Sequence, residues 1–259
     1  TIDGTHFLGT TDAQPLNFQV GGIASGRLDA SSTIGQATLG YGAGSNTVRN
    51  TTTLYGTKNT AIGYQASYNT NYGKENTAFG YQALLNNYTG SGSTAIGFQA
   101  MSNTYNYNAA NYDAGTYSTA IGYQALQGSA TPANNTGTAN TATGYQALKN
   151  ISSGEGNSAN GYMTLLNNAT GSYNTAIGHL VLLSNTTGGY NTNIGAYANY
   201  QNTTGTNNTS LGVYSLQSNT TGNYNTAIGY SADITGNVSN STAIGANAIA
   251  STSNTIQLG

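Results

Sequence analysis

Residues 76–84 read Asn-Thr-Ala-Phe-Gly-Tyr-Gln-Ala-Leu, and residues 93–101, 17 positions further on, read Ser-Thr-Ala-Ile-Gly-Phe-Gln-Ala-Met. The same pattern recurs along most of the chain, and a fixed period of this kind indicates a repeat architecture. Most neighbouring copies keep this spacing, with three longer gaps and a shortening near the end. The central glycines of the copies form one aligned column: Gly40, Gly63, Gly80, Gly97, Gly122, Gly144, Gly161, Gly178, Gly195, Gly212, Gly229, Gly245 and Gly259.

The period is too short for helical hairpin repeats, which need about 33 residues or more. It fits one coil of a β-solenoid, which consists of short strands and turns. The Thr-Ala-Ile segment favours strands, and Asn-Thr-Thr-Gly at 185–188 and 219–222 is typical of turns because Asn and Gly tolerate positive φ. We therefore predict an all-β parallel β-solenoid (β-roll) of about 13 coils, roughly 60 Å long at the usual strand spacing.

Each position of the coil, counted from the aligned glycine as position 0, keeps one kind of side chain from coil to coil. Position −1 is mostly Ile or Leu (the Ile column), −2 mostly Ala (the Ala column), −3 mostly Thr (the Thr column) and −4 Asn or Ser (the Asn column). Position +1 is mostly Tyr (the aromatic column), and +4 is often Leu (the Leu column). We expect the Ile column to form a stacked apolar core, and the Asn and Thr columns to form bonds between coils.

The narrow coil suggests more than one chain. A single roll of this size has little interior, so we expect the Ala and Leu columns to need a second surface. Three copies packed side by side, a homotrimer, would supply it. A monomeric solenoid with flat sides is the alternative.

The composition of the sequence excludes several classes of protein. Charged residues make up only 5%, against about 25% in a typical domain, so nothing here attracts nucleic acid or anionic lipid. No apolar run approaches the roughly 18–20 residues that span a bilayer. Cysteine is absent, which excludes disulfides and thiolate metal sites. The chain starts at Thr1 without Met, which indicates a fragment or a processed product.

The chain divides into a connector and a repeat region. Residues 1–33 precede the repeats, and 8–12 and 15–20 are predicted to be short strands of a connector. Residues 34–259 are predicted to form the solenoid, with insertions at 42–58, 101–117 and 127–138.

Enzyme chemistry finds little support, and we expect neither catalysis, a cofactor nor a metal. No two acidic residues of the repeat region are one period apart, the spacing that would stack them in a solenoid, and no Gly-rich stretch continues as a phosphate-binding loop. His6 and His179 are isolated, and His179 takes an aromatic position, so we expect it to act as a half-buried ring. The acidic residues are Asp3, Asp12, Asp29, Glu75, Asp113, Glu155 and Asp233.

The longest insertion is the best candidate for ligand binding, because binding sites commonly lie on loops held by a rigid scaffold. Tyrosines give large amphipathic faces at low entropic cost, and together with amides they suit sugars or a protein receptor. The alternative is that these side chains pack on their own coil or on a neighbouring chain. The candidate residues are Tyr105, Tyr107, Tyr112, Asp113 and Tyr117.

Two adjacent coils depart from the Ile column. Thr143 and Asn160 stand where Ile is expected and lie one period apart, so they should be stacked neighbours. We expect a buried polar layer, which must be hydrogen-bonded. Either a Thr–Asn bond fixes the register there, or a ring of these side chains in a trimer holds a water or an anion.

Two further patterns have ordinary explanations. The sequons at 50–52, 185–187 and 202–204 are potential glycan acceptors, but their role in turns explains them without glycosylation. The Thr column is similar to the faces of ice-binding solenoids. Those faces need two Thr columns, and this chain has one.

The last coils resemble a known family. Residues 241–250 read Ser-Thr-Ala-Ile-Gly-Ala-Asn-Ala-Ile-Ala, and 254–259 read Asn-Thr-Ile-Gln-Leu-Gly; the shortened spacing of these glycines resembles the repeat of trimeric autotransporter adhesin heads. The shared Asn/Ser-Thr-Ala-Ile-Gly motif recurs from about residue 59, over roughly three quarters of the chain. The resemblance implies a left-handed parallel β-roll with three chains to a head that binds host matrix or cells.

Most coils depart from that family because their period is longer. Similar long coils occur in fibres of phages and phage-like particles. We therefore expect a non-catalytic extracellular fibre or adhesin segment at a cell or virion surface, with a receptor-binding tail-fibre segment as the alternative. A polysaccharide-cleaving spike would need a paired set of carboxylates, and the repeat region contains none at a suitable spacing.

Overall fold

The computed structural model describes residues 14–29, 31, 34–45, 47, 56–104, 114–131 and 135–259. These residues form β-strands, turns and bends, without a helix among them. The strands are β1 (Leu16–Val20), β2 (Ile23–Asp29), β3 (Gln36–Leu39), β4 (Thr60–Ile62), β5 (Thr77–Phe79), β6 (Gly90–Ser91), β7 (Thr94–Ile96), β8 (Ala114–Gly115), β9 (Thr119–Ile121), β10 (Thr141–Thr143), β11 (Ser158–Asn160), β12 (Thr175–Ile177), β13 (Thr192–Ile194), β14 (Thr209–Leu211), β15 (Thr226–Ile228), β16 (Asp233–Ile234), β17 (Thr242–Ile244), β18 (Ile249–Ala250) and β19 (Ile256–Leu258).

Fifteen strands form one sheet in the order β1-β2-β3-β4-β5-β7-β9-β10-β11-β12-β13-β14-β15-β17-β19. From β3 onward, neighbouring strands are parallel, and each ends directly before an aligned glycine. Like positions pair between coils, as where Ala78 of β5 lies opposite Ala95 of β7. The predicted all-β parallel solenoid with its regular period is thus confirmed.

The N-terminal edge of the sheet has a different topology. β1 and β2 form an antiparallel hairpin, and β2 pairs antiparallel with β3. β1 coincides with the strand expected at 15–20, whereas the one expected at 8–12 lies outside the described residues. Of the insertion at 101–117, residues 101–104 and 114–117 follow the coil, with β8 paired to β6, and 105–113 lie outside the description. The insertions at 42–58 and 127–138 are described only in part.

The interior of the solenoid is formed by the Ala column rather than by the Ile column. In β12, Thr175 is half-buried, Ala176 is buried and Ile177 is exposed. Side chains alternate between the two faces of a strand, so Thr and Ile share the outer face and Ala points inward. The expectation that the Ile column forms the core is therefore wrong. The interior is too narrow for a large side chain at position −2.

The Leu column, which follows the strand, completes this interior. Leu84, Leu126, Leu148, Leu165, Leu182 and Leu216 are all buried. The Ala and Leu columns therefore pack within one chain and need no surface from another copy. This corrects the argument by which the sequence suggested a trimer.

Buried asparagines hold the coils together. The Asn157 Nδ2 donates to the carbonyl of Gly171 (2.9 Å), and its backbone N–H donates to Oδ1 of Asn140 in the preceding coil (2.9 Å). A second buried ladder passes through Asn185, whose Nδ2 donates to Asn168 Oδ1 (2.7 Å) and to the Gly188 carbonyl (2.9 Å). The expected bonding between coils is thus present for the asparagines.

The aligned glycines allow the coils to stack closely. Gly80 has φ +135°, and a Cβ there would lie 2.5 Å from the carbonyl oxygen of Gly97 in the next coil. Only glycine combines this φ with so close an approach of two backbones.

Candidate functional site

The Ile column and the aromatic column together form an apolar strip on the surface of the described coils. Large apolar side chains line one outer face from coil to coil, and neither column contains Asp, Glu, Lys or Arg. Monomeric soluble proteins rarely expose apolar patches larger than a few hundred Å². The exposed members are Leu39, Phe79, Ile96, Ile121, Ile177, Ile194, Leu211, Ile228, Ile244 and Leu258, with Tyr41, Tyr64, Tyr81, Phe98, Tyr123, Tyr145, Tyr162, Val213 and Tyr230 beside them.

The rings of the aromatic column stack along the solenoid. From Tyr41 to His179, neighbouring ring centroids are 5.0–5.3 Å apart, with planes within 16° of parallel. His179 lies against Tyr162 in this stack, at the aromatic position that the sequence indicated. Because the faces of the rings cover one another, only their edges meet solvent. The column is therefore a smooth ridge rather than a platform for a flat ligand.

A glutamine ladder runs beside this ridge at position +2. The Gln82 Nε2 donates to Gln65 Oε1 (2.9 Å), and Gln99 Nε2 donates to Gln82 Oε1 (3.0 Å). The same bond continues through Gln124 and Gln146. These bonds hold the edge of the strip in register from one coil to the next.

The predicted ligand-binding loop falls largely outside the described residues. The structure does not describe four of the candidate residues, so their binding role stays a prediction; they are Tyr105, Tyr107, Tyr112 and Asp113. Tyr117 is described: its side chain is exposed, and its ring lies beside Gly92 of the preceding coil.

Thr143 and Asn160 are stacked as expected but face outward. β10 and β11 pair in register with Thr143 opposite Asn160, and Thr143 is half-buried while Asn160 is exposed. They do not form a buried polar layer, because position −1 belongs to the outer face. Instead they interrupt the apolar strip over two neighbouring coils.

A buried polar layer does exist, one to two coils after β12. Asn193, Asn199, Ser210 and Ser215 are all buried, and Ser210 Oγ donates to Asn193 Oδ1 (2.6 Å). Within the described part of the chain, Asn193 Nδ2 and both amide atoms of Asn199 lack a hydrogen-bond partner. The layer separates an apolar cluster that ends at Ala198 from one that begins at Leu216.

Two of the sequons prove to be structural. Asn185 and Asn202 are fully buried, and each donates to the glycine carbonyl that closes its turn, at Gly188 (2.9 Å) and Gly205 (3.1 Å). A glycan on either amide would have to displace these bonds. The sequon at 50–52 lies outside the described residues.

Charged groups are few, and four of the described ones form two ion pairs, Arg27 with Asp29 and Lys58 with Glu75. Lys58 and Glu75 occupy the same position in adjacent coils, and Nζ of the lysine lies 3.2 Å from Oε1 of the glutamate; an exposed pair of this kind contributes little to stability. Burial disfavours ionisation of Asp29, but hydrogen bonds from Arg27 and Ser31 outweigh it and hold the pKa of Asp29 below its ordinary value. Among the described residues, no group of three His, Cys, Asp or Glu could hold a metal ion.

Comparison with known proteins identifies no relative. No family model matches the chain, and no curated protein or solved structure shows significant similarity to it. A search of the described residues finds no helix with the length and hydrophobicity to cross a membrane. The structure supports one implication of the resemblance to adhesin heads, which is the parallel β-solenoid with its regular period.

Proposed function

We propose that this chain is a non-catalytic structural segment of an extracellular fibre or adhesin, a stiff shaft or head that mediates attachment at a cell or virion surface. The observation that carries the proposal is the long parallel solenoid with an uncharged apolar strip on one face. The repeat motif it shares with adhesin heads supports the same function. The surface otherwise consists mainly of amides and hydroxyls, which suits an exposed rod.

Stiffness follows from the bonding between coils. Parallel strand pairing and the stacked glycines join neighbouring coils, and two ladders of buried asparagines add bonds between many of them. Buried polar ladders that are fully bonded make a structure rigid. A rod of this kind can hold a binding site at a distance from the surface that carries it.

The apolar strip supports assembly with further copies of the same chain, and we propose a homotrimer packed side by side. The strip is about 60 Å long and roughly 10 Å wide, so it offers on the order of 600 Å². A standard protein interface buries about 800 Å² from each partner. Because neither column carries charge, two strips can meet without desolvating an ion.

Sedimentation velocity of purified chain tests this assembly. The triple variant Ile177→Asn, Ile194→Asn and Ile228→Asn should fall from trimer to monomer with an unchanged circular dichroism spectrum, since Asn160 already occupies this column. The matched control Thr175→Asn, Thr192→Asn and Thr226→Asn changes the same strands outside the strip and should remain trimeric. A wild-type chain that sediments as a stable folded monomer would contradict the homotrimer.

The second candidate is a receptor-binding tail-fibre segment of a phage or phage-like particle. The long coils favour it, because adhesin heads of the resembling family have a shorter repeat. Electron microscopy of the intact particle decides between the two. A capsid or baseplate at the N-terminal end would support the tail fibre, and a membrane-anchor barrel after the C-terminal end would support the adhesin.

A further inference from the structure

Position −5 forms a second outward column, on the opposite side of the strand from the aromatic column. Tyr190 and Tyr224 belong to it and are 61% and 63% exposed, and Asn207 lies between them in the intervening coil, also exposed. The backbone N–H of Asn207 donates to the Gly189 carbonyl and that of Tyr224 to the Thr206 carbonyl, both at 3.0 Å. These bonds fix the three residues in vertical register, one per coil. We call them the tyrosine notch.

The notch is unique within the described part of this column. Tyr173 and Tyr190 occupy adjacent coils, with ring centroids 5.2 Å apart, so nothing fits between them. Tyr117 and Tyr173 are three coils apart, too far to act together. Tyr190 and Tyr224 alone enclose a single short side chain, and their rings extend beyond it.

The spacing of the two rings suits one sugar ring. Two coils correspond to about 9–10 Å at the usual strand spacing. A flat ring in van der Waals contact on both faces needs about 7–8 Å, and a puckered chair needs somewhat more. The C–H bonds of a pyranose can meet the electron-rich faces of both tyrosines.

The floor of the notch supplies a polar contact. Asn207 Nδ2 donates to Thr206 Oγ1 (3.2 Å), and this leaves Oδ1 to accept a hydrogen bond from a sugar hydroxyl. Gly189, Thr206 and Asn223, the residues at position −6 beside the notch, are uncharged. A neutral sugar therefore fits better than an anionic one.

We propose that the tyrosine notch binds one neutral pyranose unit of a surface glycan. The sugar lies between the rings of Tyr190 and Tyr224, with a hydroxyl bonded to Asn207. This inference names a ligand for the proposed attachment role and rests on that role for its biological meaning. The binding itself can be measured on the isolated chain.

The test is saturation-transfer NMR with the methyl glycosides of glucose, galactose, mannose and N-acetylglucosamine as probes. The variant Asn207→Tyr fills the notch with a third ring in a backbone conformation that Tyr190 and Tyr224 already adopt. It should weaken binding of the glycoside by at least about tenfold. The matched control Asn240→Tyr makes the same exchange one coil beyond Tyr224, leaves the notch open and should bind as the wild type does.

Removal of one wall gives an independent readout. Tyr224→Asn, which places the residue type of Asn207 and Asn240 in the column, should also weaken binding. The inference is overturned if none of the four glycosides binds the wild type, or if Asn207→Tyr binds as well as Asn240→Tyr. Attachment of chain-coated beads to cells is measured separately. If beads coated with Asn207→Tyr attach as well as wild-type beads do, only the role of the tyrosine notch is refuted. If wild-type beads do not attach, only the attachment role is refuted.

Discussion

Two buried asparagines in neighbouring coils have opposite consequences for stability. Asn185 is bonded to Asn168, to the Gly188 carbonyl and to Asn202, whose Nδ2 donates to its Oδ1. Asn199, equally buried, has no partner for either amide atom among the described residues. A buried polar group stabilises a fold only where it is bonded, and otherwise costs about 1–3 kcal/mol.

The first prediction compares these two residues. Asn199→Leu should raise the free energy of unfolding by about 1–2 kcal/mol, because it removes unpaired amide atoms from the interior. Leu165 and Leu182 occupy the same position with the same left-handed φ, so leucine fits there. Asn185→Leu should lower stability by about 3 kcal/mol, since three bonds of roughly 1 kcal/mol are lost. Urea denaturation measures the free energy of unfolding of both variants against the wild type. A loss of stability in Asn199→Leu would show that the buried amide of Asn199 does not destabilise the fold.

At the residue scale, the sequence contained a signal for the buried polar layer around Asn199, but the columns alone did not identify it. Asn193 stands in the Ala column and Asn199 in the Leu column, just as Thr143 and Asn160 stand in the Ile column. All four depart from their columns, so the pattern alone could not rank them. The four residues differ in the face to which their columns belong, and the sequence did not establish which columns face the interior.

At the element scale, the repeat predicted the strands and their pairing correctly but assigned them the wrong inner face. Alternation in a strand requires that positions −3 and −1 share one face and that −2 faces the other way. Choosing the Ile face as the core followed the general preference of large apolar residues for burial. The choice failed because the coil is narrow: its interior is filled by alanine from the strand and by leucine from the turn that follows.

The second prediction tests this orientation in β12. Ala176→Ile should destabilise the chain by about 1–3 kcal/mol at every protein concentration, because it overpacks a closed interior. Ile177→Ala removes a larger side chain but from the outer face. Its cost should appear only at concentrations where copies associate, since linkage to assembly depends on concentration. Thermal unfolding over a range of protein concentrations distinguishes the effects of the two variants. A loss of about 2–5 kcal/mol for Ile177→Ala that does not depend on concentration is typical of a core residue and would place the Ile column in the interior.

At the scale of the whole molecule, each coil contacts mainly its two neighbours. Repeat proteins of this kind have stabilities close to a sum of the repeats and of the interfaces between them. The number of coils therefore sets the length of the shaft without being essential to the fold. The proposed attachment role requires only that the rod be stiff and that its columns remain aligned.

The third prediction follows from this modular construction. Deletion of residues 158–174, one full period, joins Asn157 to Thr175 and leaves every column in register, so the chain should fold with an unchanged circular dichroism spectrum per residue. Deletion of 166–174 removes about half a coil and joins Leu165 to Thr175. It breaks the alignment of the Ala and Asn columns on either side and should abolish cooperative unfolding, because buried amides lose their partners. A solenoid of interchangeable coils should fold after the deletion of 158–174 and should not fold cooperatively after the deletion of 166–174. If both variants fold equally well, stacking in register is not what holds the molecule together.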